Sequence, residues 1–255
     1  MSSATFSFQA DLYDFLPKNA VPVGNSVPFS ELTVNFNGHE TIKHLLESLG
    51  IPHTEVDVIL VNEESVGFDH RLAQGDRVDV FPVHAEVDAA PLIHLQPVPL
   101  QEPCFILDGH LGKLAAYLRL LGFDAWYRND ADDDELAQIS SSENRILLTR
   151  DRGLLKRSQV TQGYCVREKS PRKQVVEVVQ RFDLTRFAKP YTRCVHCNGL
   201  LKPVLKDSIL DRLEPKTKLY YNEFSACLDC DQVYWKGSHF ERMEKFILEI
   251  IKTEA

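Results

Sequence analysis

Three aspartates and four cysteines in this chain have side chains and spacings suited to chemistry beyond packing. Asp108 follows the short apolar run Cys104-Phe105-Ile106-Leu107, and Asp151 follows Ile146-Leu147-Leu148-Thr149 and Arg150. The acidic run Asp130, Asp132, Asp133, Asp134 and Glu135 precedes a short helical pattern carrying Leu136 and Ile139. Carboxylates gathered into one crevice repel one another unless a cation neutralises them, and oxygen-only ligands suit a hard ion such as Mg2+ or Mn2+. The chemistry implied is metal-assisted phosphoryl transfer. Taken singly, an Asp after a strand is an ordinary cap or turn residue; the combination of three carries the argument.

The elements that must position these acids read out in order. The run Cys104 to Leu107 has the composition of a strand buried on both faces. Leu111, Leu114, Ala115, Leu118 and Leu121 then recur at helical spacing, with Lys113 and Arg119 between them, and Gly122 is placed to end the helix. Strands are expected at Asp124 to Arg128, Ile146 to Thr149 and Gly163 to Val166. Asp132 and Glu135 fit a capping box for the intervening helix. Ser170-Pro171 opens a further helix with the stripe Val175, Val178, Val179 and Phe182. Alternation of strand and helix implies an α/β fold with parallel pairing and right-handed crossovers. Ligands of such sheets bind outside the carboxyl ends of the strands, so Asp108, Asp151 and either Asp133 or Asp134 are expected to face one crevice.

Cys194-Val195-His196-Cys197 and Cys227-Leu228-Asp229-Cys230 are two Cys-x-x-Cys pairs with 29 residues between them. In a reducing compartment this spacing means metal and not disulfide. Four thiolates make a closed tetrahedral Zn2+ site, which has no open position for catalysis and serves folding. Strand formation at Lys218 to Phe224 is expected to fill part of the gap. Cys104 and Cys165 lie in apolar runs and read as buried core. Trp235, after the second pair, is suited either to stacking on RNA or to packing under the ribbon.

The run Phe105-Ile106-Leu107-Asp108-Gly109, Leu111-Gly112-Lys113-Leu114-Ala115 and Leu118 to Asp124, with Asp133-Asp134-Glu135-Leu136 and Arg145 to Arg152, resembles the PIN-like ribonuclease domain of the Mut-seven carboxy-terminal family. With the zinc ribbon, the resemblance covers about the last three-fifths of the chain. It implies a metal-dependent nuclease fold with an acidic site at Asp108, Asp133 and Asp151, Asp134 being the alternate acid. His110 stands where an apolar residue is expected, and Gly153 where some relatives place a further acid.

The N-terminal stretch alternates at Ala4 to Phe8 and Leu32 to Phe36, then gives a helix through Ile42, Leu45, Leu46 and Leu49 capped by Gly50, and strands at Val56 to Val61 and Arg77 to Val83. This β-β-α-β-β order resembles the ubiquitin-like β-grasp fold of the sulfur-carrier family. Those carriers act through a free Gly-Gly tail, whereas here Phe81-Pro82-Val83 runs on into His84-Ala85-Glu86-Val87, so a docking or accessory role is expected instead. Pro22 to Pro28 reads as a loop. Pro91, Pro97, Pro99 and Pro103 describe a stiff, extended connector.

Charge is divided unevenly. The whole chain carries -8, yet residues 1–100 hold 4 Lys and Arg against 14 Asp and Glu, a net of -10, and residues 101–255 hold 25 against 23. Between Arg145 and Lys206 the count is 15 against 4, a local +11 that suits a polyanionic ligand. No run of about 18 apolar residues and no signal-peptide pattern is present, so a cytoplasmic location without membrane association is expected. The expected organisation is a β-grasp domain at 1–84, a Pro-rich linker at 85–103, a PIN-like domain at 104–190, and a zinc ribbon with a C-terminal helix at 191–255. The expected activity is Mg2+- or Mn2+-dependent endoribonucleolytic cleavage. Lys113, Arg150 and Arg152 are the candidate phosphate contacts, and a protein partner for the acidic N-terminal domain is expected besides RNA. The rival expectations are a non-catalytic RNA-binding adaptor and a phosphatase or DNA nuclease using the same acids.

Overall fold

A computed structural model describes residues 2–17, 31–83, 85–97 and 102–252; the loop expected at Pro22 to Pro28, and Pro99 of the connector, lie outside them. In chain order, β1 (Ser2–Phe8), β2 (Glu31–Phe36), α1 (Ile42–Ser48), β3 (Val56–Val61), β4 (Glu64–Ser65) and β5 (Arg77–Pro82) come first. Next are β6 (Cys104–Leu107), α2 (Gly112–Leu120), β7 (Asp124–Tyr127), α3 (Asp133–Ser142), β8 (Ile146–Thr149), α4 (Arg152–Leu155), β9 (Gly163–Cys165) and α5 (Pro171–Arg181). The last are β10 (Leu201–Val204), α6 (Pro215–Tyr220), β11 (Phe224–Cys227), β12 (Val233–Trp235) and α7 (Ser238–Lys252). The chain forms two compact units, Met1–Pro99 with Asp133–Cys165, and Leu100–Asp132 with Val166–Ala255. Each unit holds one pair of parallel strands, with helices before and after it in the chain.

In the first unit, β1 to β5 form a mixed sheet in the order β2-β1-β5-β3-β4, with β1 antiparallel to β2 and parallel to β5. Its period-two pattern puts Ala4, Phe6 and Phe8 inward, and the rings of Phe6 and Phe8 stack at 5.9 Å. Thr41 caps α1 by accepting from His44 N, and Gly50, at φ +102°, ends it in the left-handed conformation expected of it. A 3-10 turn over Ala10–Phe15, invisible to periodicity because it is so short, buries Leu12 and Phe15.

The connector does not stand off as a spacer. Ile93 N donates to Ser65 Oγ, Leu95 N to Asp57 O, and Gln96 Nε2 to His53 O and Val56 O, so this stretch is strapped along β3. The same unit holds the parallel pair β8 and β9, with Leu147 opposite Gly163 and Thr149 opposite Cys165. Its inner strand, Ile146 to Thr149, is buried throughout, as an apolar run covered on both faces must be.

In the second unit, β6 pairs in parallel with β7, from Cys104 opposite Asp124 to Leu107 opposite Tyr127. Phe105 is fully buried between Phe123 and Phe182, whose rings meet it edge-on at 6.0 and 5.9 Å. Cys104 is half-buried rather than core, whereas Cys165 in the first unit is buried. Helix α2 buries Leu114, Ala115 and Leu118 and ends at Gly122, with Phe123 N closing the cap on Leu118 O. Arg119, expected on the polar side of α2, is only 5% exposed.

The ribbon sheet is antiparallel, in the order β10-β11-β12, over a small core of Ile209, Leu213, Phe224 and Val233. The strand expected at Lys218 to Phe224 is instead the helix α6 followed by β11, because Pro215 at the first helical turn sets φ for a helix without needing its missing amide. Helix α7 buries Phe246, Ile247 and Ile250; Phe246 meets Tyr117 of α2 at 5.3 Å and lies 4.9 Å from the guanidinium of Arg172. Among the described residues no helix is long and apolar enough to cross a membrane.

Two glycines separate backbone strain from steric clash. Gly38 has φ +80° with open space around its Cβ position, whereas Gly122 has φ +95° and a Cβ there would lie 2.1 Å from Lys189 O. Gly38→Ala is therefore expected to cost about 1 kcal/mol of left-handed strain. Gly122→Ala is expected to cost roughly 3 kcal/mol or more, because strain and displacement of the backbone at Lys189 combine. Urea denaturation of both variants beside wild type measures the difference.

Candidate functional site

Asp108 lies at the carboxyl end of β6 and caps the 3-10 turn Gly109–Leu111, its Oδ1 accepting from His110 N at 3.3 Å. Two glycines make this turn possible. A Cβ on Gly109 would come within 2.9 Å of Asn129 O, and one on Gly112 within 2.6 Å of the Tyr127 hydroxyl. That hydroxyl donates to Gly109 O at 2.9 Å and so anchors the turn to β7. His110, at the position where an apolar residue was expected, is exposed and serves the site through its backbone amide. Lys113 is exposed on the first turn of α2.

Asp151 stands two residues after the end of β8, beyond Arg150. Its backbone amide donates to Thr149 Oγ1 at 2.9 Å, and its Oδ1 accepts from Gly153 N at 2.6 Å and Leu154 N at 3.4 Å, capping α4. Thr149 is fully buried, so the hydroxyl that props Asp151 is itself fixed. A Cβ on Gly153 would lie 3.0 Å from Asp151 Oδ1, so any larger residue there would press on the capping carboxylate. Arg150 is exposed. Arg152, expected as a phosphate contact, is directed elsewhere: Nη1 donates to Phe15 O at 2.9 Å, Nη2 to Asp14 O at 2.8 Å, and the guanidinium lies 4.8 Å from the Phe15 ring.

Asp133 and Asp134 open α3 and are brought together by Arg157, a residue that the sequence pattern had not marked. Arg157 Nη1 is ion-paired with Asp134 Oδ1, and its Nη2 lies 3.8 Å from Asp133 Oδ2. Asp134 points outward with 88% of its side chain exposed, against 50% for Asp133. The tighter Arg157 contact is thus to the alternate acid.

The four cysteines of the ribbon do converge. The sulfurs of Cys194, Cys197, Cys227 and Cys230 all lie within 4.8 Å of one another, with Cys194 3.6 Å from Cys230 and Cys197 3.4 Å from Cys227. A tetrahedron of Zn–S bonds of about 2.3 Å has sulfurs roughly 3.8 Å apart, so the donor set fits that ion by type and size. Asp229 N donates to Cys227 Sγ at 3.4 Å, and the hydroxyl of Tyr234 lies 3.0 Å from Cys194 Sγ. Contacts of this kind orient ligand sulfurs and disperse their charge. Trp235, on the last ribbon strand, is 38% exposed and its ring lies 6.4 Å from that of Phe224.

Buried Arg119 ties this cluster to α2. Its Nε donates to Ala125 O at 2.8 Å, and Nη1 donates to Val195 O at 3.2 Å and His196 O at 2.9 Å, inside the first Cys-x-x-Cys turn. Burial pushes its pKa down while Cys197, Cys194 and Asp124 push it back up. Asn198 adds a second tie, with Nδ2 donating to Asp124 Oδ1 at 2.9 Å and Oδ1 accepting from Ala125 N at 3.0 Å. Arg193 pairs with the other oxygen of Asp124 at 3.3 Å.

Cys194→Ser is expected to lower the zinc content of the purified protein and to unfold the ribbon, since binding energy at a closed thiolate site is folding energy. Elemental analysis with circular dichroism reads both. Arg119→Met leaves the carbonyls of Ala125, Val195 and His196, the first of them in a buried bond, without their donor and is expected to cost about 3 kcal/mol in urea unfolding.

A family model described as the Mut7-C RNAse domain matches residues 103–247, more than half of the 255-residue chain, and a second, described as Mut7-C ubiquitin, matches residues 1–88. No curated protein and no solved structure matches the chain. The parallel strands that precede Asp108 and Asp151, the four-cysteine cluster and the β-grasp sheet fall within these two matches, and the chain belongs to the Mut7-C RNAse domain family, with a Mut7-C ubiquitin domain at its N-terminus.

Proposed function

We propose that this chain is a metal-dependent endoribonuclease of the cytoplasm, with Asp108, Asp133 and Asp151 as its catalytic acids. The observation that supports this most is that Asp108 and Asp151 each follow the last residues of a parallel strand and cap the turn beyond it, in a chain that belongs to a ribonuclease family. The carboxyl ends of parallel strands are the ligand-binding edge of such sheets. Each capping bond uses the Oδ1 of its aspartate. An all-carboxylate donor set suits Mg2+ or Mn2+, and such an ion, when bound, supplies Lewis-acid polarisation of the scissile phosphate and an activated water. Asp133 is preferred to Asp134 as the third acid because Arg157 makes its closer ion pair with Asp134.

The chain's own residues do the rest. Asp108 and Asp151, held by their caps, orient the ligating oxygens. Lys113 and Arg150 are exposed beside them and serve as phosphate contacts; Arg152 leaves that set because both its terminal nitrogens are engaged by carbonyls. The basic stretch Arg145 to Lys206 serves as the RNA track. The four-cysteine cluster holds Zn2+ for folding, away from the chemistry.

Asp→Asn keeps the shape and a capping oxygen while removing the charge, so it tests metal binding more than folding. Asp108→Asn and Asp151→Asn are each expected to lose nearly all Mn2+-dependent cleavage of labelled single-stranded RNA, with RNA binding and thermal stability retained. Wild-type cleavage matched by both variants places the site elsewhere, and a wild type that binds RNA but never cleaves it makes the chain an adaptor. RNA affinity is expected to fall steeply between 50 and 200 mM salt, by about a hundredfold or more if several phosphates are neutralised.

A further inference from the structure

Helix α4, the element that Asp151 caps, is four residues long. A single turn does not hold its own geometry in water, because nucleation costs more than one hydrogen bond returns. Something else must fix it, and the hydrogen bonds of residues 152–165 identify what does. Arg152, the residue next to Asp151, forks onto Asp14 O and Phe15 O and covers the Phe15 ring. Lys156 at the other end of α4 donates to Glu47 O at 2.6 Å, satisfying a carbonyl in the last turn of α1. Further on, His53 Nε2 lies 2.9 Å from Val160 O, and Cys165 N donates at 2.6 Å to Oε1 of Glu55, a carboxylate only 1% exposed. All five partner residues of this segment belong to the span matched by the ubiquitin domain, and this clamp and the segment it holds share one compact unit.

We propose that the ubiquitin-like domain is a fixed positioning element for the proposed ribonuclease centre, with Arg152 as the positioning residue that holds the Asp151 turn in register through Asp14 and Phe15. This rests on the reading of Asp151 as a ligating acid given above. The domain therefore acts as neither a carrier tag nor a tethered lid. Its chain runs on past β5 and is bonded back onto β3 and β4, and its surface around Phe15, Glu47, His53 and Glu55 is already occupied by residues 152–165. Arg suits the Arg152 position because two adjacent carbonyls need a planar fork of donors, which an ammonium group cannot match in full.

The experiment compares full-length wild type with Arg152→Ala, Arg152→Lys and Lys156→Met. Manganese binding is followed by electron paramagnetic resonance, cleavage of single-stranded RNA as a function of Mn2+ and of RNA, and folding by circular dichroism. Neighbours that orient a metal ligand commonly cost tenfold or more when lost, so Arg152→Ala is expected to weaken Mn2+ binding about tenfold with the RNA KM unchanged. Arg152→Lys is expected to recover part of that affinity, and Lys156→Met, which removes a different clamp, to show a smaller shift in the same direction. A raised RNA KM at unchanged Mn2+ affinity would make Arg152 a phosphate contact and overturn the proposal. Unchanged Mn2+ affinity in both Arg152→Ala and Lys156→Met, with or without lower thermal stability, overturns it too and leaves the ribonuclease reading standing. A wild type that neither binds Mn2+ nor cleaves RNA overturns both.

Discussion

Backbone amides and carbonyls left over at the ends of strands and helices must find partners when they are removed from water, and that requirement organises most of what is specific to this chain. Asp108 and Asp151 take up amides of the turns that follow β6 and β8. Arg119 takes up three carbonyls around β7 and the first cysteine pair, Arg152 two carbonyls at Asp14 and Phe15, and Lys156 one at the end of α1. Glu177 does the same for the amides of Arg167 and Glu168 after β9. An unpaired buried amide or carbonyl costs about 1–3 kcal/mol, comparable with a good fraction of a domain's net stability, so Arg119, with its buried bond to Ala125 O, is fixed by need most strongly and the side chains with part-buried bonds in smaller measure.

The same requirement explains which features could be read in the sequence. The acids after strands and the glycines at 50 and 122 were legible because each acts on residues within a few positions of itself, and the cysteine pairs because the Cys-x-x-Cys spacing marks each half of the cluster locally, although the halves meet across 30 to 36 residues. Arg119 and Arg152 were not, because their acceptors lie 76 to 77 and 137 to 138 residues away. On a periodicity argument each is simply a charge on a helix. Arg119 read as the polar side of α2, and Arg152, next to an acid in a basic stretch, read as a phosphate contact. The misplacement of α6 has a local cause: the aromatic and β-favouring residues near Tyr220 suggested a strand, and Pro215 outweighed them by starting a helix.

The basic excess between Arg145 and Lys206 also takes on a different meaning. A count of charges treats every cation as facing solvent, yet Arg157 is paired with Asp133 and Asp134, Lys189 with Glu102, and Arg193 with Asp124, acids that all lie outside the stretch. Arg172 spends its guanidinium on the ring of Phe246. The field presented to a polyanion is therefore smaller than the local sum. Solvent-exposed ion pairs are individually weak, so they cancel charge at a distance more than they add stability.

In each unit, one acid-bearing element of the nuclease fold is braced by a module appended to that fold. In the second unit, the turn of Asp108 leads into α2, and α2 is tied by Arg119 to the backbone of the cysteine turn, whose own shape depends on four converging sulfurs. In the first, the turn of Asp151 leads into α4, and α4 is tied by Arg152 and Lys156 to the ubiquitin-like domain. Both acids sit at the start of a short turn, where the intrinsic stiffness of a helix is least available. A ligating carboxylate has to be held within a fraction of an ångström to matter for an ion, and a single turn cannot supply that rigidity unaided. The fusion of a ubiquitin-like domain and a four-cysteine ribbon to this RNAse-domain fold is then mechanically coherent, because each supplies from outside the stiffness that the short turns after β6 and β8 lack.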